Sequence, residues 1–294
     1  MITKIGMGSA NWGMQYGLSS LKTQVEQSEV KNLLKAGEAL GVNLIDTASL
    51  YGSAEKVLGQ NSLKNFKVVT KTPHFNKLRI TLADAQFLKS TFKLSLERLN
   101  IDRSYGLLFH RAEDILKPGK EYLIECITQI KEDGMVSKIG VSIYSSFDII
   151  EICDTLEPDI VQLPLNIFDQ RVVYDGTLKF LKSRNIEIHS RSVFMQGLLL
   201  MPVIKMPNYF LRWKKQFKAW FDFCRHNNLK PFDVALNFVG SIREIDKCII
   251  GFSNCEELRE CQMSNLSIQP DDLKFLHTND IDLINPSRWF KNGK

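Results

Sequence analysis

The segment NLIDTASLYGSAEKVLG, residues 43–59, decides how this chain can fold and what it can do. A short apolar run ends in Asp46, and Tyr51 and Gly52 follow in what reads as a tight turn. Ser53 then begins a helix-like stretch. A helix cap and a turn would explain these residues one at a time, whereas a proton-handling site would explain Asp46 and Tyr51 together. The choice depends on the rest of the sequence.

Short apolar runs recur along the whole chain and alternate with amphipathic stretches. Most runs are continuously hydrophobic, which is typical of parallel strands covered on both faces. The predicted strands are KIGMGSA at 4–10, then 43–46, 66–71, 105–110, 138–142, 159–163, 186–190 and 247–251. Helical periodicity predicts helices at 25–40, 83–99, 121–132, 146–155, 176–184, 209–227 and 254–263.

Eight strands, each followed by at least one helix, predict an α/β fold of the (β/α)8 TIM-barrel type. A doubly wound sheet is the alternative, but a dinucleotide-binding fold of that kind needs G-x-G-x-x-G after a strand. The glycines of GMGSANWG, residues 6–13, have a different spacing. Because no linker, repeat or low-complexity segment interrupts the alternation, we expect one domain over residues 1–294.

Composition narrows the class of protein. The chain has 44% hydrophobic and 24% charged residues and a formal charge of +5, as expected of a globular protein with small-molecule partners rather than a nucleic-acid binder. It lacks a run long enough for a membrane helix and a signal-like start, so a cytoplasmic location is expected. Its six cysteines include no Cys-x-x-Cys pair, so neither a disulfide framework nor a metal site is expected.

Polar residues end most of the predicted strands, and in such barrels these ends meet at one face. The series is Asp46, Lys71, His110, Ser142 and Gln162, with His189, Ser190 and Arg191 on the seventh strand. An acid, a lysine and a histidine in that series predict a lined pocket. A purely structural role, such as a core histidine or a capping aspartate, would be ordinary for any one of these residues. Without a shared site, however, every residue in the series would need its own structural explanation.

Three of these residues, Asp46, Lys71 and His110, suggest proton chemistry when they are taken together with Tyr51. A tyrosine hydroxyl is a poor acid, with an ordinary pKa of about 10, and a lysine beside it favours the phenolate. We therefore expect Lys71 to lower the pKa of Tyr51, with Asp46 holding the lysine. His110 would orient a carbonyl oxygen. Such a group can exchange a proton with an oxygen whose carbon exchanges a hydride.

The motifs resemble those of the aldo-keto reductase superfamily over nearly the whole chain. They are DTASLYGSAEKVLG, VVTKT, LLFHR, KIGVS and DIVQLPLN, in the expected order, followed by CIIGFSNCEELRE. The resemblance implies NAD(P)H-dependent reduction of an aldehyde or ketone, with Tyr51 as general acid. GSANWGMQYG and RSVFMQGLL are similar to a bacterial branch often found with surface-polysaccharide synthesis, which suggests a sugar-derived carbonyl.

The resemblance also implies cofactor contacts. Ser142 and Gln162 match partners of the nicotinamide, although Ile143 replaces an asparagine of the family. Asn166 is also assigned to the cofactor site, at a place where the family often has a Tyr-Asn pair and Leu165 replaces the aromatic residue. Arg191 stands where an aromatic residue usually stacks on the nicotinamide. The last predicted strand, 247–251, and the helix after it, 254–263, would bind the adenosine phosphate through Gly251, Ser253, Arg259 and Glu260.

Glu257 stands where many NADPH-specific members have arginine or glutamine, and Arg259 would have to compensate its charge. The resulting expectation is NADPH, with NADH as the alternative. Trp12 and Phe75, in loops after strands, are predicted substrate walls.

The predicted partner is a small-molecule carbonyl substrate, with no nucleic acid or membrane, and the chain is expected to be a monomer or small homo-oligomer. Two other functions remain open. One is a cofactor-binding regulatory or assembly subunit with little turnover. The other is a lyase or isomerase that uses Tyr51 and Lys71 on a sugar.

Overall fold

A closed barrel of eight parallel strands forms the centre of the molecule. The computed structural model describes residues 2–18, 23–264 and 266–290. Each strand pairs with the next in sequence, and β1 also pairs with β8, which closes the barrel. The strands are β1 (Ile5–Gly8), β2 (Leu44–Asp46), β3 (Lys67–Lys71), β4 (Ser104–Phe109), β5 (Val136–Ser142), β6 (Ile160–Pro164), β7 (Glu187–Arg191) and β8 (Lys247–Gly251). The predicted (β/α)8 fold is confirmed.

Helices cover the outside of the barrel. They are α1 (Ala10–Gly13), α2 (Gln27–Ala39), α3 (Ala54–Gly59), α4 (Leu82–Leu99), α5 (Glu121–Glu132), α6 (Ile149–Leu156), α7 (Arg171–Tyr174), α8 (Thr177–Ser183), α9 (Lys214–His226), α10 (Pro231–Ser241), α11 (Cys255–Met263) and α12 (Ile281–Ile284). Short 3₁₀ segments lie at Ile2–Lys4, Ala112–Leu116, Met195–Leu200, Val203–Lys205, Asn208–Trp213, Pro270–Leu276 and Pro286–Arg288. None of the described helices combines the length and apolar character needed to cross a bilayer.

Local sequence explains where these helices form. In α5 the residues Leu123, Ile127 and Ile130 are buried at helical spacing, which gives one apolar stripe against the strands. At the start of α4 the Asp84 carboxylate accepts the Thr81 amide at 2.9 Å, and Asn100 ends the helix in the left-handed region.

Two helix predictions differ from the structure. Helix α10 was missed because residues 234–239 are all buried, so it has no polar face and no amphipathic period to detect. The single helix predicted at 209–227 is a 3₁₀ turn, Asn208–Trp213, followed by α9. Both differences lie outside the barrel, and each strand ends within two residues of its predicted end.

Alternation along the strands divides the barrel interior into three layers. The middle layer is an apolar cluster of Leu44, Val69, Leu108, Ile160 and Ile249. Two residues further along the same five strands stand Asp46, Lys71, His110, Gln162 and Gly251, which form the upper layer. The candidate site therefore rests on an apolar floor.

The lower layer is charged. Glu187 accepts hydrogen bonds from the Tyr105 hydroxyl at 2.6 Å and from Lys138 at 2.5 Å, and its other oxygen lies 2.7 Å from Nε2 of His189. Burial alone would raise the pKa of Glu187, but hydrogen bonds from these partners lower it well below its ordinary value. Glu187 therefore stays ionised and ties three strands together at this end.

Candidate active site

Two glycines set the turn that carries Tyr51. Gly52 has φ +57°, and a Cβ there would lie 2.3 Å from the Gly13 carbonyl oxygen. A Cβ on Gly13 would in turn lie 1.9 Å from the Tyr51 carbonyl oxygen. Ser53 donates its amide to the Gly13 carbonyl at 3.0 Å. The turn after β2 is thereby fixed against α1, and the tyrosine ring is directed over the barrel mouth.

A buried ion pair lies at the centre of the upper layer. Lys71 Nζ lies 2.8 and 2.7 Å from the two carboxylate oxygens of Asp46 and donates to the Thr47 carbonyl at 2.9 Å. Gln162 donates its amide to Asp46 at 2.7 Å. Burial lowers the pKa of Lys71, and the adjacent carboxylate opposes this by favouring the charged form. The predicted pairing of Asp46 with Lys71 is present.

The phenol of Tyr51 meets this pair at its edge. Its hydroxyl is 3.5 Å from Lys71 Nζ. Burial, and then the charge of Asp46, raises the pKa of Tyr51 well above its ordinary value, while Arg191 acts in the opposite direction. The sequence argument expected Lys71 to lower this pKa. Burial has the larger effect in the structure, and the Asp46 carboxylate adds to it, so Tyr51 is a protonated donor.

His110 faces Tyr51 across the mouth of the barrel. The two rings meet edge to face with centroids 5.7 Å apart, and His74 packs on His110 from the other side at 4.9 Å. Burial, followed by the charge of Lys71, lowers the pKa of His110 to about 2. Its imidazole is therefore neutral at every physiological pH and offers one N–H donor to an oxygen held beside Tyr51.

A cavity of about 330 Å³ opens over these residues. Tyr51, His110 and Asp46 line one part of it, and the ends of β5, β6, β7 and β8 contribute to the remaining wall together with residues near α1, after β7 and on α11. Of the sequence-predicted cofactor residues, five lie in the wall: Ser142, Gln162, Arg191, Gly251 and Glu260. Four aromatic residues that sequence reasoning did not select as site residues also line it: Tyr144, Phe194, Phe232 and Phe252.

Arg191 and Tyr144 form a stacked pair in this wall. The guanidinium lies 4.1 Å from the centroid of the tyrosine ring and donates to the Ile143 carbonyl at 2.8 Å. The resemblance implies that the arginine stacks on the cofactor itself, and the structure gives it an aromatic partner, Tyr144, two residues after the end of β5. The signal for Tyr144 was its place two residues beyond Ser142, at a strand end.

Three predicted cofactor residues lie outside the cavity wall. Asn166 is fully buried, and its side-chain oxygen accepts the amides of Phe168 and Asp169 at 2.9 and 3.0 Å. This residue shapes the loop after β6. Ser253 and Arg259 belong to the α11 end of the molecule, and neither side chain lines the cavity.

The two residues predicted as substrate walls, Trp12 and Phe75, lie outside the cavity lining. Trp12 is fully buried and donates its indole N–H to the Phe252 carbonyl at 2.9 Å. Phe75 is also buried, and its amide hydrogen-bonds to Asp114 at 3.3 Å. Neither residue lines the cavity, because a position after a strand does not determine which way a side chain points. Tyr16 lines the cavity where Trp12 was expected to.

A nicotinamide fits the end of the cavity near Tyr51. Gln162 donates its amide N–H to Asp46 and keeps its carbonyl oxygen free of any hydrogen bond found in the described part of the chain. The buried Ser142 hydroxyl lies beside it in the wall. Both can hold a carboxamide, as the sequence predicted. Among the described residues, no three His, Cys, Asp or Glu side chains are grouped to bind a metal ion.

A parallel (β/α)8 barrel with a buried acid, lysine, tyrosine and histidine at the carboxyl ends of its strands has the form of a barrel enzyme. The model of the Aldo/keto reductase family matches residues 4–280, so the chain belongs to that family. It is an oxidoreductase family, and the resemblance noted in the sequence is confirmed.

Individual relatives are distant. An uncharacterized oxidoreductase, YqkF, of Bacillus subtilis is 24% identical over 63% of this chain and 62% of its own length. A chloroplastic pyridoxal reductase of Arabidopsis thaliana is 28% identical over 53% of this chain and 46% of its own length. The chain thus matches about half to two thirds of the length of these relatives. The holo form of the aldo-keto reductase AKR11C1 from Bacillus halodurans has a TM-score of 0.73 at 16% identity, over 97% of this chain and 95% of that one, and supports the fold.

Proposed function

We propose that the protein reduces the carbonyl group of a small molecule with a nicotinamide dinucleotide, using Tyr51 as the proton donor. The observation that carries the proposal is the Asp46–Lys71 pair in contact with the Tyr51 hydroxyl, with the neutral His110 facing it. The bound dinucleotide would supply hydride to the carbonyl carbon. The protein's own residues would supply the proton and the geometry.

Each residue of the site has a separate role in the proposed reaction. His110 donates its N–H to the carbonyl oxygen and holds it beside Tyr51. The tyrosine hydroxyl then gives its proton to that oxygen as the carbon accepts hydride. The resulting phenolate is stabilised by Lys71 at 3.5 Å and by the positive charge of Arg191. Proton transfer by a positioned side chain typically contributes 10²–10⁴-fold.

The substrate class follows from the cavity. The Tyr51 end of the cavity is polar, and Phe194, Phe232 and Leu200 add apolar surface to the wall. An aldehyde or ketone of modest size, with an apolar or ring-containing remainder, suits this lining. A relative named pyridoxal reductase places pyridoxal in the first panel of candidates, together with sugar-derived aldehydes.

The test is carbonyl-dependent oxidation of NADH or NADPH by the purified chain, followed by absorbance. Tyr51→Phe should reduce kcat by at least about 10²-fold while leaving cofactor binding within about twofold, because only the proton donor is lost. Tyr122→Phe, on the exposed face of α5, is the matched control and should retain full activity.

Two outcomes would contradict the proposal. If Tyr51→Phe turned over as fast as the wild type, the assigned mechanism would be wrong. If the wild type bound the cofactor tightly yet reduced no carbonyl, and a partner protein co-purified with it, the regulatory-subunit alternative would replace the enzyme. Conversion of a sugar without net consumption of nicotinamide would indicate the lyase or isomerase.

A further inference from the structure

The part of the cavity formed by α11 is acidic. Glu257 and Glu260 both line it there. Among the described residues that line the cavity, the cation is Arg191, which belongs to the Tyr51 end and is stacked on Tyr144. Arg259, which the sequence argument offered as a compensating charge, is exposed on α11 and does not line the cavity. The part of the cavity wall formed by α11 thus places negative charge next to a ligand bound there.

The first amides of α11 already have acceptors within the protein. Ser253 donates its N–H to the Glu257 carboxylate at 2.7 Å, and Cys255 donates to the Glu29 carboxylate of α2 at 3.0 Å. The Asn254 side chain accepts the amides of Glu256 and Glu257, each at 3.0 Å. Two carboxylates therefore occupy positions that an external anion would take at a helix start.

The position of the proton donor fixes which part of a dinucleotide meets this wall. Hydride and proton are added to neighbouring atoms of one carbonyl, so the nicotinamide must lie beside Tyr51 and His110. The same cavity is also lined by Gly251, at the end of β8, and by Glu257 and Glu260 of α11. The far ribose of the dinucleotide is therefore the part that approaches α11.

We infer that Glu257, supported by Glu260, makes this protein select NADH over NADPH. This inference rests on the proposed function. A carboxylate can accept a hydrogen bond from a free ribose 2′-hydroxyl, as acidic residues do in other dinucleotide sites, whereas a 2′-phosphate would be repelled. It reverses the preference for NADPH expected from the sequence, because the amides at the start of α11 are already bonded within the protein and Arg259 lies outside the cavity.

Isothermal titration calorimetry of the full chain with NADH and with NADPH tests the inference without relying on catalysis. Wild type should bind NADH at least about tenfold more tightly than NADPH. Glu257→Gln, which keeps an oxygen to accept the Ser253 amide, should tighten NADPH binding about fivefold or more and change NADH binding less than twofold. Glu260→Gln should act in the same direction.

Glu256→Gln is the matched control, since Glu256 is exposed on the same helix and does not line the cavity. It should leave the ratio of the two dissociation constants unchanged, which separates a local effect from a general change of charge. Equal or tighter binding of NADPH by the wild type would overturn the inference while leaving the reductase proposal intact. Binding of neither dinucleotide would instead reject the proposed function and, with it, this inference.

Discussion

Lys71 is the residue on which the rest of the site depends. It is only 2% exposed, and a buried ammonium group is costly unless it is paired and hydrogen-bonded. The structure gives it Asp46 and the Thr47 carbonyl as acceptors and places the Tyr51 hydroxyl at the edge of the group. The buried positive charge of Lys71, which would destabilise the fold if it were unpaired, is thus retained beside the Tyr51 oxygen, where a phenolate would form.

His110 makes a pH-dependent prediction at the residue scale. In the unfolded chain a histidine binds a proton near pH 6.5, whereas burial and Lys71 lower the folded pKa to about 2. Below pH 6.5 the unfolded state therefore binds a proton that the folded state does not, and stability falls as pH falls. Between pH 7.5 and pH 5 wild type should lose about 2 kcal/mol more unfolding free energy than His110→Gln.

Urea denaturation at a series of pH values measures this difference. His226→Gln, at an exposed position on α9, is the control and should keep the wild-type dependence. Parallel curves for wild type and His110→Gln would mean that His110 takes up a proton in the folded protein. A neutral orienting imidazole would then be the wrong assignment.

Sequence order predicted much of the catalytic group but not all of the cavity wall. Asp46, Lys71 and His110 could be found because each ends an apolar run, and strand ends of a barrel share one face. Trp12, Phe75 and Asn166 all follow strand ends, and a position after a strand end does not fix the direction of the side chain. All three are buried and serve neighbouring segments instead.

At the scale of elements, helix α3 holds the Tyr51 turn through its own docking contacts. The buried Glu55 carboxylate accepts the Thr70 hydroxyl of β3 at 2.8 Å and meets Arg98 of α4 at 3.4 Å. At the end of the helix, a Cβ on Gly59 would lie 2.0 Å from the Arg98 carbonyl oxygen. The glutamate and the last glycine of the opening motif are therefore explained by packing rather than by chemistry.

Gly59→Ala should separate α3 from α4, because backbone atoms cannot yield as a flexible side chain can. We expect a loss of about 2 kcal/mol in unfolding free energy and a reduced kcat, since the turn bearing Tyr51 leads directly into α3. Chemical denaturation and steady-state kinetics check both effects. Lys56→Ala, on the exposed side of the same helix, should change neither, and wild-type stability in Gly59→Ala would refute this docking.

Strands and helices could be predicted where their apolar residues form a continuous run or repeat at helical spacing. The strands and α5 were found from apolar runs and a helical stripe. Helix α10 was missed because its buried residues surround it on nearly every side. Hydrophobic periodicity arises when one face of an element is apolar and the opposite face is polar. An element without a solvent-exposed face therefore has no such pattern in its sequence.

At the scale of the whole molecule, the charged lower layer binds distant parts of the chain together. Glu187 on β7 is bonded to Tyr105 on β4 and to Lys138 on β5. Its lowered pKa means that this stabilisation is fully present above the ordinary glutamate pKa of 4.5 and is lost as pH falls below it.

Glu187→Gln should lower the unfolding free energy by about 2 kcal/mol at pH 7, because it leaves Lys138 without its carboxylate. The difference from wild type should shrink as the pH falls below 4.5. Thermal and chemical unfolding at pH 7 and pH 4 give the comparison, with Glu125→Gln on the exposed face of α5 as control. A pH-independent difference would show that packing rather than charge is responsible.

The apolar middle layer also insulates one end of the barrel from the other. Leu44, Val69, Leu108, Ile160 and Ile249 separate two ionised clusters. His189, which lies between them on β7, hydrogen-bonds through Nε2 to Glu187 below, and its Nδ1 has no partner among the described residues. The side chains of the described residues thus form no hydrogen-bonded chain from Glu187 to Tyr51. Substitutions at the lower end should therefore change the acid tolerance of the barrel without altering the catalytic pH profile.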